Sequence, residues 1–267
     1  MVWFVPSTPA PVTKAYLIAD LPSRDLESMK RLFERGTHAD LNPMLEMKIL
    51  RAPADWAGQS HAYMRRKETE AGNDGPFVVI DEALTERGGV WYVSHFADDD
   101  DVEDEQAAST EVLWEILVTP LHLAIMWVNY DIANMTITED LSNCGVDFPA
   151  AVGFHQPEID NAGGLDMEEE RRSQPAWITA APGEYEVSTK KKDTSTFLPS
   201  PDKVVRLKED VAKANGLVSG WSILSEPTEQ KASDGTPMEF PEGSVGLQVT
   251  YDLDFARPKY QWPEGSL

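Results

Sequence analysis

FVVIDEALTERGGVWYV, residues 77 to 93, is the stretch on which the fold turns. Its first four residues, Phe77-Val-Val-Ile80, are apolar and mostly β-branched, and read as a buried strand ending at Asp81. Its last four, Val90-Trp-Tyr-Val93, read as a second strand that ends at Ser94-His95. Only eight residues separate Asp81 from Val90, whereas a parallel crossover normally takes a dozen or more. The two strands are therefore either antiparallel or joined by a single helical turn at Glu82 to Glu86.

Upstream, Ala15 to Ala19 reads as a buried strand ending at Asp20. A helix follows, with Leu26, Met29 and Phe33 on one face and Gly36 as its stop. Leu45 to Leu50 alternates with period two and reads as a half-buried strand, and Asp55 is placed to cap a helix through Tyr63 and Met64. Downstream, Ile116 to Val118 is a further strand. Strands alternating with helices at this spacing predict an α/β domain over residues 14 to 149, a mostly parallel central sheet flanked by helices.

Residues 1 to 13 form a Pro-rich lead-in. Residues 150 to 267 are predicted to be an irregular, Pro- and Gly-rich extension docked on the α/β domain. It carries one helix at about 201–215, from Ser200-Pro201 through Val204, Leu207, Val211 and Ala214 to Asn215-Gly216, and one strand at about 246–251. One helix and one strand cannot bury a core alone. The stretch 155 to 200 is expected to be poorly ordered or held only by docking.

A net charge of -23 and a sequence pI near 4.5 argue against nucleic acid and anionic membrane as partners, because phosphate binding needs clustered Lys and Arg. The single cysteine, Cys144, leaves no internal disulfide and no Cys-rich zinc site. The apolar start is broken by prolines and lacks a basic region, so it does not read as a secretory signal, and no apolar run is long enough to span a bilayer. A cytoplasmic, reducing compartment is the expectation.

The segment from Trp114 to Asp140 carries Trp127, Asn129, Asn134 and Met135 in close order. It resembles a family of small bacterial and fungal proteins of uncharacterised function, whose signature reads roughly Leu-Trp-x-x-Glu-Asn-Asn-Leu-x-x-Ala-Asn-Met. The resemblance covers roughly residues 14 to 149, and includes Tyr16 to Asp20, Phe77 to Asp81 and Glu115 to Pro120. It implies a fold and no activity. Where the family has Glu-Asn-Asn, this chain has Val128-Asn129-Tyr130, so no role of that acid transfers.

If the strands are parallel, Asp20, Asp81 and His95 converge on one sheet edge, where ligands bind in open α/β sheets. A carboxylate beside an imidazole fixes its tautomer and favours the protonated ring, which makes this trio the candidate catalytic set. If the pair around Asp81 is antiparallel, His95 falls at the opposite edge and the set dissolves. Trp91, Trp127, Asn129, Tyr130 and Asn134 are the candidate substrate-binding residues. The alternative for the aspartates is a turn cap, and for the asparagines a structural amide network. The run Asp98 to Glu105 reads as a solvated loop, His122 as a core histidine and Cys144 as a packing thiol. There is no P-loop, Gly-x-Gly-x-x-Gly, His-Glu-x-x-His or Gly-x-Ser-x-Gly motif. The expectation is an enzyme without cofactor or metal that acts on a small organic molecule by acid–base chemistry, as an isomerase, cyclase or dehydratase does. The alternative is an acidic, immunity-type binding protein that engages a basic partner.

Overall fold

The computed structural model describes residues 1–4, 10–37, 43–164, 169, 173, 175–227, 237–256 and 259–267. The chain divides into two compact units, one of Met1–Pro9 with Glu169–Pro258 and the other of Ala10–Glu168 with Lys259–Leu267.

Strand β1 (Val2–Phe4) belongs to the first of these. The larger unit holds β2 (Val12–Leu17), α1 (Ser23–Thr37), β3 (Glu46–Arg51), α2 (His61–Glu70), β4 (Phe77–Ile80), α3 (Ala83–Arg87), β5 (Val90–Phe96), α4 (Asp99–Glu103), β6 (Leu113–Val118), α5 (Leu123–Asp131) and α6 (Ile137–Asn143). Its five strands form one sheet in the order β3-β2-β4-β5-β6. All four residues of β4 are buried, as expected of a central strand covered on both faces. One face packs Trp114, Ile116 and Tyr92 against Met29, Phe33 and Met126 of α1 and α5. The other packs Val79, Val93 and Leu113 against Trp56 and Met64.

The expected mostly parallel sheet is not what forms. Only β2 with β3 and β2 with β4 are parallel, joined through α1 and α2; β4 with β5 and β5 with β6 are antiparallel. The cause lies in the connection after Asp81. It spends its residues on the five-residue α3, closed by Gly88 at φ 78°, and so turns the chain back instead of across the sheet. Gly36 does not stop α1 but lies inside it, buried; a Cβ there would sit 1.9 Å from the Leu121 carbonyl oxygen, so its role is close helix approach. The acidic run is not loop throughout either. Asp98 and Asp101 form a capping box for α4, and Asp101 Oδ2 accepts from Trp114 Nε1 at 2.9 Å.

Both edges of this sheet are covered by segments that the sequence reading put in the extension. On the β6 edge, Gln156 bonds both backbone groups of Leu117, and Asp160 pairs with Val118. On the β3 edge, Tyr260 Oη accepts from Met47 N, Ser266 Oγ accepts from Ile49 N, and Leu267 N donates to the Ile49 carbonyl. Trp262 packs on Phe33 with its Nε1 on Glu34 at 2.8 Å.

The smaller unit is not an irregular extension. It contains β7 (Ala176–Ala180), β8 (Tyr185–Ser188), α7 (Lys191–Thr194), β9 (Val204–Leu207), α8 (Glu209–Ala214), β10 (Leu217–Val218), β11 (Ser222–Ile223) and β12 (Val245–Tyr251). These make two antiparallel sheets, β1-β7-β12-β10 and β11-β9-β8. Ile178, Leu207, Leu217 and Leu247 form a core of their own. The helix expected at 201–215 is replaced by β9, a turn and the short α8. Within 155 to 200, residues 165–168, 170–172 and 174 lie outside the described residues; much of the rest is β7, β8, α7 and the cover of β6. No helix among the described residues is long and apolar enough to cross a membrane.

Candidate functional site

Ser60 caps α2, its Oγ accepting from Tyr63 N at 3.2 Å, and this places His61 at the helix start over the sheet. Strand β6 is apolar except for Glu115. Side chains alternate along it, so Glu115 shares the α2-facing side with Leu113. The two groups meet: His61 Nδ1 lies 2.7 Å from Glu115 Oε2. On the far side of the ring, Nε2 is 3.8 Å from Asp81 Oδ2 at the end of β4. Trp91 packs edge-on against the imidazole, with ring centroids 5.6 Å apart.

These groups line a cavity of about 570 Å³, with Ile18, Ser60 and Phe154 among its walls. Its charged lining is Asp81, Glu82, Glu111 and Glu115, with no Lys or Arg among the described lining residues. Glu111 is paired with Arg66 at 2.6 Å. The side chains of His61, Asp81 and Glu115 are 14%, 18% and 23% exposed, which leaves each open to a small ligand and largely out of water.

Burial opposes charge on His61, but the Glu115 hydrogen bond and the charges of Glu115 and Asp81 outweigh it and raise its pKa above 6.5. Burial also raises Asp81 above 3.8, partly offset by the Ala83 N–H at 2.9 Å and by His61. A carboxylate can only accept, so the contact with Glu115 favours a ring hydrogen on Nδ1, while Nε2 faces Asp81 and the cavity. The result is a fixed imidazole beside a carboxyl group whose proton is held more tightly than usual. Such a pair can give and take a proton at one position. Among the described residues no cluster of three or more His, Cys, Asp or Glu is arranged to hold a metal; here the two carboxylates address opposite ring nitrogens.

The expected trio of Asp20, Asp81 and His95 does not assemble. Asp20 ends β2 at the same sheet edge as Asp81 but is exposed and outside the cavity wall. His95 lies at the opposite edge, because β5 runs antiparallel to β4, and a register shift after Val93 leaves it exposed beside Ser94 Oγ at 2.8 Å. Of the expected binding residues, Trp91 supports His61. Trp127 and Tyr130 line a second cavity with His95. Asn129 and Asn134 line neither cavity. Ala133 at φ 54° ends the helix, and Asn134 turns back so that its N–H and side chain both bond Asn129. The amide pair closes the end of α5 at the surface. His122 is buried, its Nδ1 3.1 Å from Asp160 Oδ2 but not aligned as a hydrogen bond. Cys144 is buried with its thiol pushed up to about 11 by that burial.

The residues that sequence reasoning missed are His61 and Glu115. A lone acid inside Leu113–Val118 was a visible signal; His61 had none beyond its place after Ser60.

Fold and site together define a mixed α/β unit with an imidazole–carboxylate pocket. No family model, no curated protein and no solved structure matches the chain.

Proposed function

We propose that this pocket is the active site of an acid–base enzyme that needs no cofactor and acts on a small neutral or cationic organic molecule. The observation that carries this reading is His61 held between Glu115 and Asp81 at the wall of a cavity of about 570 Å³. Glu115 orients the imidazole, while Nε2 and the Asp81 carboxyl move the proton at the substrate. The acidic lining disfavours carboxylate and phosphate substrates. Isomerisation, cyclisation and dehydration all suit a site that shifts one proton. A cytoplasmic setting agrees with a single buried thiol.

The test needs no prior substrate. Pools of neutral and cationic carbonyl compounds are incubated in deuterium oxide with the protein, and deuterium entering carbon is read by mass spectrometry. Exchange of at least one compound is expected, with His61→Gln reducing it by about 10²-fold or more and Asp81→Asn by a similar amount. If the wild-type protein exchanges nothing while His61→Gln loses several kcal/mol of stability, His61 is a clamp between α2 and the sheet, and the proposal fails.

A further inference from the structure

The second cavity, of about 480 Å³, lies on the other face of the same sheet. Its apolar lining includes four aromatic rings, Tyr92 on β5, Trp114 on β6, and Trp127 and Tyr130 on α5, beside Met135 and Ile137. Two of these rings already have their polar handles occupied. Trp114 Nε1 donates to Asp101 at 2.9 Å and Tyr130 Oη to Asp140 at 2.7 Å. Tyr92 and Tyr130 meet edge to face at 5.6 Å. Trp114 and Tyr92 are almost fully buried, so the rings left to meet a ligand are the half-buried Trp127 and Tyr130, and a ring face carries the negative side of the aromatic quadrupole.

The charges around them have the same sign. Asp101 and Asp131 line the cavity, with no Lys or Arg among the described lining residues. Asp101 is engaged by Trp114 and the Asp98 N–H, whereas Asp131 is the last residue of α5, where the negative end of the helix dipole adds to its charge. An anion would meet His95 and the neutral donors of Ser94, Gln106, Thr136 and Thr138, but no Lys or Arg among the described lining residues. Asp131 is exposed at the cavity, so a cation there gains its charge whereas an apolar ligand gains nothing from it.

We propose that this cavity binds an organic cation, an alkylated ammonium group seated against Trp127 and Tyr130 and neutralised by Asp131. The site is separate from the His61 pocket and does not depend on the activity proposed for it. A cavity of this size accepts a quaternary ammonium head with a short attached chain.

The experiment titrates the full chain with choline and with its neutral carbon isostere, which carries tert-butyl in place of trimethylammonium. Heat and tryptophan fluorescence are read at matched ionic strength. Choline is expected to bind about tenfold or more tightly than the isostere. Trp127→Ala and Asp131→Asn are each expected to weaken choline by about tenfold, while Glu82→Gln, in the first cavity, leaves it unchanged. Should Trp127→Ala fail to fold, Trp127→Phe keeps a ring face and is expected to retain most of the binding. Equal binding of choline and its isostere overturns the proposal, as does a folded wild-type protein that binds no choline. Loss on Glu82→Gln with Trp127→Ala unaffected overturns it too, because the cation then sits in the first cavity.

Discussion

A carboxylate in the middle of an apolar strand destabilises it unless it finds a partner, and Glu115 finds His61. The pair has a pH signature. His61 holds its proton more tightly in the folded chain than at its ordinary pKa of 6.5, so its stabilising contribution is complete below that pH and is lost as pH rises through the higher folded value. Asp81, also raised, acts in the same direction from 3.8 upward. The melting temperature of the wild-type protein is therefore expected to fall more steeply above pH 6.5 than that of His61→Gln; parallel curves would show that the ring gains nothing from its neighbours. At this scale the sequence showed which residue types were available and not which would meet. His61 and Glu115 are 54 positions apart, and only the packing of α2 over β5 and β6 joins them. Asp81 was legible because strand ends are local, and His95 misled because its position depends on a strand direction that no single residue encodes.

Elements were readable where their burial is simple. Phe77–Ile80 and the face of Leu26, Met29 and Phe33 announce β4 and α1 through their own periodicity. The helix expected at 201–215 shows the limit. Val204, Leu207, Val211 and Ala214 fit a helical face, yet Val205 is also fully buried, and pairing with β8 and β11 makes Val204–Leu207 a strand. Four residues, three of them apolar, fit either period, and tertiary pairing chooses. The tail fell within the extension expected to dock on the α/β domain, but its target strand was invisible. It covers an edge strand that would otherwise present free N–H and C=O groups. Deleting residues 259–267 removes Tyr260 and Trp262 from Phe33 and uncovers β3. The expected loss is more than about 3 kcal/mol, with concentration-dependent association through the bared edge. Urea melts and light scattering check both; an unchanged melt in a monodisperse sample would contradict the role given to the tail.

Across the whole molecule, the strands and helices of the larger unit were legible but not their directions, and the two sheets of the smaller unit were not legible at all. Alternation of strands and helices holds from β2 to β4, then the short connection at α3 reverses the chain, and the sheets of the smaller unit are entirely antiparallel. The charge of -23 also acts at this scale. Its self-repulsion is long-ranged, so raising the salt from about 0.01 M to about 0.15 M, which shortens the screening length from about 30 Å to about 8 Å, is expected to raise the melting temperature. A fall instead would mean that pairs such as Glu115 with His61 outweigh the global repulsion. The interleaving of the two units bears on biosynthesis. Strand β3 leaves the ribosome about 200 residues ahead of the segment that covers it, a delay of roughly 10–40 s at ordinary elongation rates. For that interval the nascent sheet has an open border, and on a crowded polysome its nearest mate is the same border on the neighbouring nascent chain. The acidity of the chain, which repels identical copies, would then act as a guard during synthesis, before the tail arrives to close the gap.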